Sequence, residues 1–501
     1  MLLLGIDVGT SSIKVSVVDA QTQQTIASAN YPETEAEIIA HKSGWAEQSP
    51  LSWWNFFQQA LAKAHATKTY NPKDIAAIGI AYQMHGLVCV DKDNNVLRDS
   101  IIWCDSRAIP YGDAAFKAIG EEKSLSHLLN SPGNFTAAKL AWVKENEPQV
   151  YERINKIMLP GDYIGMMLTG SITTSISSLS EGIFWDFKTN TLSKDVMDYF
   201  GFSESIIPTI NDVFSEHGYV TESVANLLQL KPGIPVAYKA GDQPNNALSL
   251  NVLEPGEVAA TAGTSGVIYG VSDKLAYDQQ SRVNSFAHVN YTLPSTSAEG
   301  REGNVRIGIL LCINGTGILN KWLKNITGAN TSYAELNNAA SKINIGSDGL
   351  YIIPFGNGAE RMLNNKIVGT HLHNIDLNKH TTAHLYRAGQ EGIAFAFRYG
   401  LDIMRENKMY PSVIRAGKAN MFLSNVFTNA FVNVTNTPVE LYNCDGSVGA
   451  ALGAGIGAKI FSNAKEAFTK MQRLQTVEPN GKNEYEGHYQ KWKDCLNQDL
   501  G

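Results

Sequence analysis

The pattern of apolar positions changes period along the first hundred residues. Strand-like apolar runs at residues 2–7 and 13–19, with a weaker one near Thr25, predict a three-strand meander. Between residues 50 and 66 apolar side chains recur at helical spacing, which predicts an amphipathic helix. Two short apolar runs, IAAIGIAY and GLVCVD, then predict buried strands. Strands rich in Ile and Val that alternate with helices indicate an α/β layered fold.

The same patterns continue to the end of the chain. Residues 139–167 have a helical pattern broken at Leu159-Pro160-Gly161, and the strand IPVAYKAG ends directly before Asp242. Further helices are predicted at 245–253, 383–404, 420–434 and 447–460, with a strand at VIRAG. A polar stretch at 293–303 predicts an extended hairpin loop. The polar last thirty or so residues are expected to cap the surface.

The opening meander returns in altered form in the second half of the chain. LLLGIDVGTSSIKVSVVDA has a counterpart in EVAATAGTSGVIYGVSD, which aligns Gly9-Thr10-Ser11 with Gly263-Thr264-Ser265. A turn of this type lets backbone N–H groups and small hydroxyls approach an anion without interference from a Cβ atom. The repeat therefore predicts two related halves whose turns face each other across a cleft and hold one polyphosphate.

Length and composition narrow the class of protein. A chain of 501 residues is too long for one ordinary core and favours at least two domains. The net charge of −7 argues against nucleic acid or an anionic membrane as the main partner. Five scattered cysteines without a C-x-x-C pair disfavour disulfides and structural zinc and favour a reducing cytoplasm. No apolar run approaches the ~18 residues of a membrane span.

The first turn carries the residue types that phosphate and magnesium need. Asp7 ends one apolar strand, and a carboxylate in that position can hold a hydrated Mg²⁺ ion while the turn holds phosphate and Lys14 adds charge. Taken alone, the segment is equally compatible with an ordinary hairpin. The second copy shifts the balance towards phosphate binding. The predicted phosphate contacts are Gly9, Thr10, Ser11, Ser12, Lys14, Gly263 and Thr264.

Asp242 follows a predicted strand and precedes a predicted helix. A carboxylate there can accept the proton of a hydroxyl that attacks phosphorus, while Gly241 lets the substrate approach the backbone. The alternative role is that of a helix N-cap, and the two roles can coexist. Asp242 is thus the candidate catalytic base.

A polar triplet, Gln83-Met84-His85, interrupts an otherwise apolar strand pair. Amide and imidazole groups can hydrogen-bond sugar hydroxyls, and a thioether can lie against the carbon skeleton. A core histidine with its hydrogen bonds satisfied is the alternative. After the next strand, Trp103 and Asp105 can supply an aromatic wall and an acceptor.

Two glycine-rich segments have different interpretations. The strand-turn-helix around Gly417-Lys418 suits a flat adenine or ribose. The segment 453–458 fits the G-x-G-x-x-G/A pattern, but it has no strand immediately before it, so close helix packing explains it better. The sequence contains no G-x-x-x-x-G-K-[ST] motif, which argues against a P-loop enzyme.

These motifs together resemble the FGGY carbohydrate kinases. The likeness runs from GIDVGTSSIKV through HKSGWAEQSPLSWW, QMHG, IIWCDSR, NFTAAKLAWVKENEP, LPGDYIGMMLTG, AGDQPNNA and TAGTSG to DGSVGAALGA. The resemblance implies two ribonuclease-H-like domains of the actin/hexokinase ATPase type with a central cleft. It divides the chain into a sugar-binding domain at 1–250, an ATP-binding domain at 251–470 and a terminal surface segment at 471–501.

The resemblance also implies a reaction. It points to ATP-dependent, Mg²⁺-assisted phosphorylation of a ketose, with D-xylulose converted to D-xylulose 5-phosphate as the expected reaction and sedoheptulose or ribulose as alternatives. Asp242 becomes the base, Asp7 assists Mg²⁺, and Met84 and His85 bind the sugar. A homodimer is the family-level expectation. A sensor that binds sugar or nucleotide without turnover is the rival from another class.

Two departures from the family pattern bear on specificity. Lys418 stands where the adenosine turn usually has a second glycine, which affects the expected nucleotide affinity. Gln243 follows the proposed base where xylulose-specific members often have Asn, so sugar preference is less well defined than reaction type.

Overall fold

A computed structural model of the protein describes residues 1–293 and 303–501. The hairpin loop predicted at 293–303 therefore lies almost entirely outside the described residues. The strands of the first half are β1 (Leu2–Val8), β2 (Ile13–Asp19), β3 (Thr25–Tyr31), β4 (Glu47–Gln48), β5 (Ile75–Tyr82), β6 (Val88–Val90), β7 (Ser100–Ile101), β8 (Lys156–Met158), β9 (Thr173–Thr174), β10 (Trp185–Asp186), β11 (Thr191–Leu192), β12 (Thr209–Ile210) and β13 (Val236–Gly241).

Helices alternate with these strands. They are α1 (Pro50–Ala66), α2 (Ile109–Ile119), α3 (Glu121–Leu128), α4 (Thr136–Asn146), α5 (Pro148–Tyr151), α6 (Pro160–Thr169), α7 (Ile176–Glu181), α8 (Lys194–Phe200), α9 (Glu222–Leu228) and α10 (Asp242–Ser249).

The second half continues the alternation. Its strands are β14 (Val258–Ala262), β15 (Gly266–Ser272), β16 (Asn284–Ala287), β17 (Ile307–Ile313), β18 (Tyr351–Phe355), β19 (Gly369–His373), β20 (Ile414–Gly417), β21 (Val439–Tyr442) and β22 (Arg473–Val477). Its helices are α11 (Gly317–Thr327), α12 (Tyr333–Ser341), α13 (Thr382–Glu406), α14 (Asn425–Thr435), α15 (Gly446–Gly457), α16 (Ala464–Ala467) and α17 (Lys482–Leu500).

A five-stranded sheet in the order β13-β5-β1-β2-β3 organises the first half. The meander β1-β2-β3 is antiparallel, as predicted, and β5 and β13 add to it in parallel with β1. In this register Asp7 lies opposite Lys14 on one side and Ala81 on the other, while Gly241 lies opposite Tyr82. The carboxyl ends of β1, β5 and β13 therefore meet at one edge of the sheet.

The second half repeats this arrangement in a seven-stranded sheet, ordered β16-β17-β15-β14-β20-β21-β22. The hairpin β14-β15 contains the second glycine-hydroxyl turn, and β20 and β21 follow β14 in parallel. Both halves thus have a ribonuclease-H-like sheet with an antiparallel hairpin beside parallel strands. The repeat seen in the sequence corresponds to this shared topology.

One helix from the second half of the chain packs on the sheet of the first half. α15 belongs to the second half of the chain, but it packs on β1, β5 and β13 of the first sheet. A Cβ atom on Gly5 would lie 1.7 Å from the Ser447 carbonyl oxygen, so only glycine permits this approach of helix to strand. The G-x-G-x-x-G/A segment lies inside α15, which confirms its interpretation as a helix-packing surface.

Several predicted helices differ in their bounds from the observed ones. Residues 139–167 form α4, α5 and α6 with the short strand β8 before α6, because Pro148 and Pro160 each start a new helix at its first position. The helix predicted at 245–253 is α10, which begins earlier, at Asp242. The one predicted at 420–434 begins with a 3₁₀ turn before Ser424 caps α14. Of the helices in the described ranges, none is long and apolar enough to cross a membrane.

Candidate active site

Two carboxyl groups converge where β1 and β13 end. Asp7 is the penultimate residue of β1, and Asp242 directly follows the last glycine of β13. On its other side Asp7 meets the start of α15, because a Cβ atom on Gly446 would lie 2.4 Å from Asp7 Oδ2. The Asn245 side-chain amide donates to the Gly446 carbonyl oxygen at 2.9 Å and ties α10 to α15 at this point. Residues of both halves therefore form one site.

The environment raises the pKa of both carboxyl groups. Burial raises the pKa of Asp242 to about 7, and the neighbouring charge of Asp7 acts in the same direction. Burial likewise raises the pKa of Asp7 to about 6, with Asp445 adding to the rise and Lys14 opposing it. A carboxylate whose pKa lies near 7 is suited to accept a proton at neutral pH.

Asp242 lies at the start of α10 but does not occupy its N-cap position. Asp242 is the first residue of α10, and Gly241, which has no side chain, occupies the N-cap position. Asp242 as a residue is intermediate in exposure, and burial is the main influence on its carboxyl group. The N-cap of α10 is therefore Gly241 and not Asp242, and the role of Asp242 as the base stays a prediction.

The first glycine-hydroxyl turn is held by a buried amide network. Thr10 Oγ1 donates to Gln83 Oε1 at 2.9 Å, and Gln83 Nε2 donates to Gln48 Oε1 at 3.0 Å. Gln48 Nε2 in turn donates to the Thr10 carbonyl oxygen at 2.8 Å. Since Gln83 is only 2% exposed, it supports the turn from beneath. The exposed Ser11 and partly exposed Gly9 and Ser12 form the accessible surface of the turn.

Lys14 already has a partner within the protein. Its ammonium group forms an ion pair with Asp445, whose carboxylate also caps α15 through the Ser447 N–H group. The charge that the sequence assigned to phosphate is therefore shared with the helix of the other half. This pair links the first turn to α15.

The second turn is anchored from the start of α11. The N–H groups of Gly317 and Ile318 donate to the carbonyl oxygens of Gly263 and Thr264 at 2.9 and 3.1 Å. The Thr264 side chain is exposed. Helix α10, which begins at Asp242, contacts both strands of the second hairpin, β14 and β15.

Met84 lies next to Gly241, since a Cβ atom on Gly241 would be 2.7 Å from Met84 Cγ, and His85 is held from several sides. His85 has a positive φ of 62°, and Lys139 Nζ donates to its carbonyl oxygen at 2.7 Å. Its ring packs against Phe135 and Phe286, with centroids 4.8 and 5.4 Å away. Burial lowers the pKa of His85 to about 3, so the ring is neutral. Nδ1 lies 3.1 Å from the Glu181 carbonyl oxygen, which only accepts, so Nδ1 carries the proton and Nε2 is left as an acceptor.

The side chains of Trp103 and Asp105 lie in different environments in the structure. The Trp103 side chain is 47% exposed, and its indole N–H donates to Thr10 Oγ1 at 3.0 Å. Asp105 is fully buried, accepts from the Ala46 N–H at 2.6 Å and pairs with Arg107 at 2.7 Å. Trp103 therefore belongs to the first turn, whereas the Asp105 carboxylate is engaged in an internal ion pair.

The Gly417-Lys418 turn lies at the end of β20. The Lys418 N–H donates to the Tyr442 carbonyl oxygen at 2.8 Å, which extends the pairing of β20 with β21. Its side chain reaches Gln475 Oε1 on β22 at 3.2 Å. The long cation thus runs towards the edge of the sheet.

Several residues of the site were not singled out from the sequence. They are Gln48, Lys139, Glu181, Asn245, Phe286, Asp445 and Gly446. Some lie inside segments that carry the family resemblance, such as Gln48 in HKSGWAEQSP and Lys139 in NFTAAKLAW. Glu181 is an acidic residue in the otherwise uncharged run ISSLSEGIF, which is a signal that could have been noticed.

Two family models match the chain. The N-terminal domain of the FGGY family of carbohydrate kinases matches residues 2–249, and the C-terminal domain matches residues 258–458. Together these ranges cover most of the 501 residues.

Individual relatives agree with the family models. The xylulose kinase of Haemophilus influenzae is 28% identical over 99% of this chain and 100% of its own length. The solved xylulose kinase of Rhodospirillum rubrum has a TM-score of 0.86 at 24% identity, with 99% of both chains covered. Plasmodium falciparum glycerol kinase, solved with ADP, has a TM-score of 0.86 at 19% identity and covers 100% of this chain and 98% of its own. The chain belongs to the FGGY family of carbohydrate kinases.

Proposed function

We propose that the protein is an ATP-dependent ketose kinase that converts D-xylulose to D-xylulose 5-phosphate. The observation that carries this proposal is Asp242, whose carboxyl group has a pKa raised by burial to about 7 and lies at the strand edge beside Asp7. Whole-length similarity to a protein named xylulose kinase supports the choice of sugar. The solved relative with ADP supports an adenine nucleotide as the phosphoryl donor.

In the proposed reaction the ionised Asp242 removes the proton from the terminal hydroxyl of the sugar. The hydroxyl oxygen attacks the γ-phosphorus of ATP, the bond to the bridging oxygen breaks, and ADP leaves. Met84 lies along the carbon chain and neutral His85 accepts a hydroxyl hydrogen bond at Nε2. Trp103 is proposed to border the same pocket. Asp105 is left out of the sugar contacts because its carboxylate is already paired.

The two glycine-hydroxyl turns are proposed to hold the phosphates. Gly9, Ser11 and Ser12 present the first turn, and Gly263 and Thr264 the second, while Gly417 and Lys418 border the nucleoside. Asp7 is the proposed Mg²⁺ ligand. Among the described residues no group of three or more His, Cys, Asp or Glu side chains is placed to hold a metal ion. Asp7 would therefore be one carboxylate ligand, with phosphate oxygens and water completing the coordination that Mg²⁺ prefers. When bound there, Mg²⁺ would neutralise charge on the phosphates.

The organisation of the molecule follows from the same proposal. Residues 1–250 would carry the sugar site and the base, residues 251–470 the nucleotide site, and residues 471–501 would form the terminal surface segment. In the last segment Trp492 is buried and donates to the Ile352 carbonyl oxygen at 2.9 Å.

We also propose that the protein is a homodimer and is located in the cytoplasm. Sedimentation analysis tests the dimer, and cell fractionation tests the location.

A coupled assay of ADP release tests the reaction directly. We expect release that depends on the ketose, with kcat/KM highest for D-xylulose and lower for D-ribulose and sedoheptulose. If sedoheptulose exceeds D-xylulose by more than tenfold, the sugar assignment is wrong and the kinase assignment stands. Binding of ketose without ADP release above background would instead identify a sensor.

A further inference from the structure

Glu181, the last residue of α7, carries a buried carboxyl group that the proposed reaction does not use. Its side chain is 2% exposed. Neither Oε1 nor Oε2 has a hydrogen-bond partner among the described residues. The nearest ring nitrogen, His85 Nδ1, is 3.8 Å from Oε2 and donates instead to the backbone carbonyl of Glu181. An unpartnered buried carboxyl group is rare because it loses its hydration without compensation.

The carboxyl group lies at the place that the proposed function gives to the sugar. Oε2 is 3.1 Å from the position that a Cβ atom on Gly241 would take. Met84 Sδ is 3.2 Å from the same position. Glu181 is therefore beside the residue that precedes the candidate base, with the Met84 thioether as its neighbour. Methionine is unbranched and flexible, so this cover can move when a ligand enters.

Burial keeps the carboxyl group of Glu181 uncharged. Burial raises the pKa of Glu181 well above its usual range, and the charges of Asp242 and Asp162 act in the same direction. The Tyr82 hydroxyl lies close to the Glu181 carboxyl group and opposes part of the rise, although its well-formed hydrogen bond is with Ser178 Oγ at 2.8 Å. Lys139 Nζ opposes the rise but is bonded to the His85 carbonyl oxygen. A neutral carboxyl group has one O–H donor as well as acceptors.

The stability of the folded state does not explain a glutamate at position 181. A buried polar group without partners destabilises the folded state, and an apolar side chain of similar size would pack there without that cost. A buried group that costs stability and lies in a substrate site is typical of a residue retained for function.

We infer that Glu181 is a sugar-binding residue, whose carboxyl group exchanges hydrogen bonds with a hydroxyl or the carbonyl group of the bound ketose once Met84 moves aside. This inference rests on the proposed function for the identity of the ligand. It adds to that function a contact which discriminates between polar groups at one position of the sugar.

Two substitutions of Glu181 test the inference. Glu181→Met keeps the approximate size but removes all hydrogen bonding, and Glu181→Gln keeps a donor and an acceptor. For Glu181→Met we expect the KM for D-xylulose to rise at least tenfold, kcat to change less, and the Tm to equal or exceed that of wild type. For Glu181→Gln we expect the KM to stay within threefold.

Glu391 provides a matched control. It is also a 2% exposed glutamate, but Arg387 Nε donates to it at 2.6 Å and the Gly346 N–H at 3.1 Å. Glu391→Met removes real hydrogen bonds far from the sugar, so it should lower the Tm and leave the KM for D-xylulose unchanged. If Glu181→Met behaves like this control, or fails to fold, Glu181 is structural and the inference is wrong.

A binding measurement separates this inference from the proposed reaction. D-Xylulose should raise the Tm of wild type and of Glu181→Gln, and should raise that of Glu181→Met much less. This pattern supports the inference even if wild type releases no ADP, a result that would overturn the kinase proposal alone. An equal rise in all three proteins contradicts the inference even if wild type is an active kinase.

Discussion

Asp242 combines a position directly after β13 with a pKa close to neutral pH, and both suit the proposed role of a base. Burial and the charge of Asp7 raise its pKa to about 7, so the carboxyl group is protonated and inactive below that pH. We expect kcat/KM for the ketose to rise with pH and to level off above about 7. Steady-state rates between pH 5 and 9 measure this profile.

Asp7 provides the control for the pH profile. Removing its charge with Asp7→Asn takes away one cause of the raised pKa of Asp242, so the acid limb of the residual activity should move to lower pH. An unchanged limb in this variant would mean that another group titrates.

Lys418 is the residue where the chain departs from the usual adenosine turn, and its side chain points to Gln475. We therefore expect Lys418→Gly to leave the Kd for ATP within about threefold of wild type, since surface substitutions change free energies by about 0.5 kcal/mol. Isothermal titration measures the Kd. A change of more than tenfold would show that the ammonium group contacts the nucleotide.

Individual site residues could be predicted only where the backbone fixes their direction. Asp7 lies at the end of β1 and Asp242 directly follows β13, so their positions at the sheet edge could be predicted from the sequence pattern. Gln83 adjoins Met84 and His85 in the chain, yet its side chain supports Thr10. The backbone turns at Met84 and His85, where His85 has a φ of 62°, so strand alternation does not give the directions of these side chains. Asp105 is likewise adjacent to exposed Cys104 but buried with Arg107.

At the scale of elements, the first hairpin depends on a network outside it. Gln83, which follows β5, and Gln48, which lies on β4 before α1, hold Thr10 in place. Gln83→Leu removes two buried hydrogen bonds and leaves the Thr10 hydroxyl short of one partner. We expect kcat/KM for ATP to fall about tenfold, in line with the cost of about 1–3 kcal/mol for an unsatisfied buried group.

Gln59, which is exposed on α1, offers the comparison for this effect. Gln59→Leu should leave kcat/KM for ATP unchanged. A drop for ATP that is matched by an equal drop for the ketose in Gln83→Leu would mean general damage to the fold.

The strongest periodic elements were the ones best predicted from the sequence. α1 begins and ends at the predicted residues, since its apolar spacing is regular and Pro50 marks its start. Residues 139–167 were harder, because apolar runs on both sides of Pro160 hide the short strand β8. Periodicity identifies α15 as a helix but does not say which sheet it covers.

At the scale of the whole molecule, the halves are joined at the free edge of β16. The side chain of Asn130 pairs with both backbone groups of Ser285, donating to its carbonyl oxygen at 2.6 Å and accepting from its N–H at 3.0 Å. Ser177 and Ser180 of α7 bond the carbonyl and N–H of Ala287 at 2.8 and 2.9 Å. Side chains of the first half thus act as the missing neighbouring strand.

This junction makes a prediction about stability. Asn130→Ala leaves the N–H and the carbonyl of Ser285 unpaired and buried, so we expect the free energy of unfolding to fall by about 1–3 kcal/mol for each group. Thermal unfolding measures the change, with exposed Asn226→Ala as the control. Equal Tm values for Asn130→Ala and wild type would mean that the two hydrogen bonds of Asn130 with Ser285 do not stabilise the junction of the halves.

The duplicated turn predicted the two-half organisation of the molecule because it repeats a local pattern. The joining of the halves could not be predicted, because it depends on single side chains such as Asn130 that meet backbone far away in the sequence. The same holds for the Lys14–Asp445 pair, whose partners are separated by most of the chain.

The central claim is that Asp242 acts as the base in phosphoryl transfer from ATP to a ketose. The most direct test is the kcat of Asp242→Asn for D-xylulose and ATP, measured by ADP release beside wild type and the exposed control Asp198→Asn. We predict that kcat falls by about 10²–10⁴ in Asp242→Asn while Asp198→Asn matches wild type. A kcat within tenfold of wild type for Asp242→Asn would contradict the account.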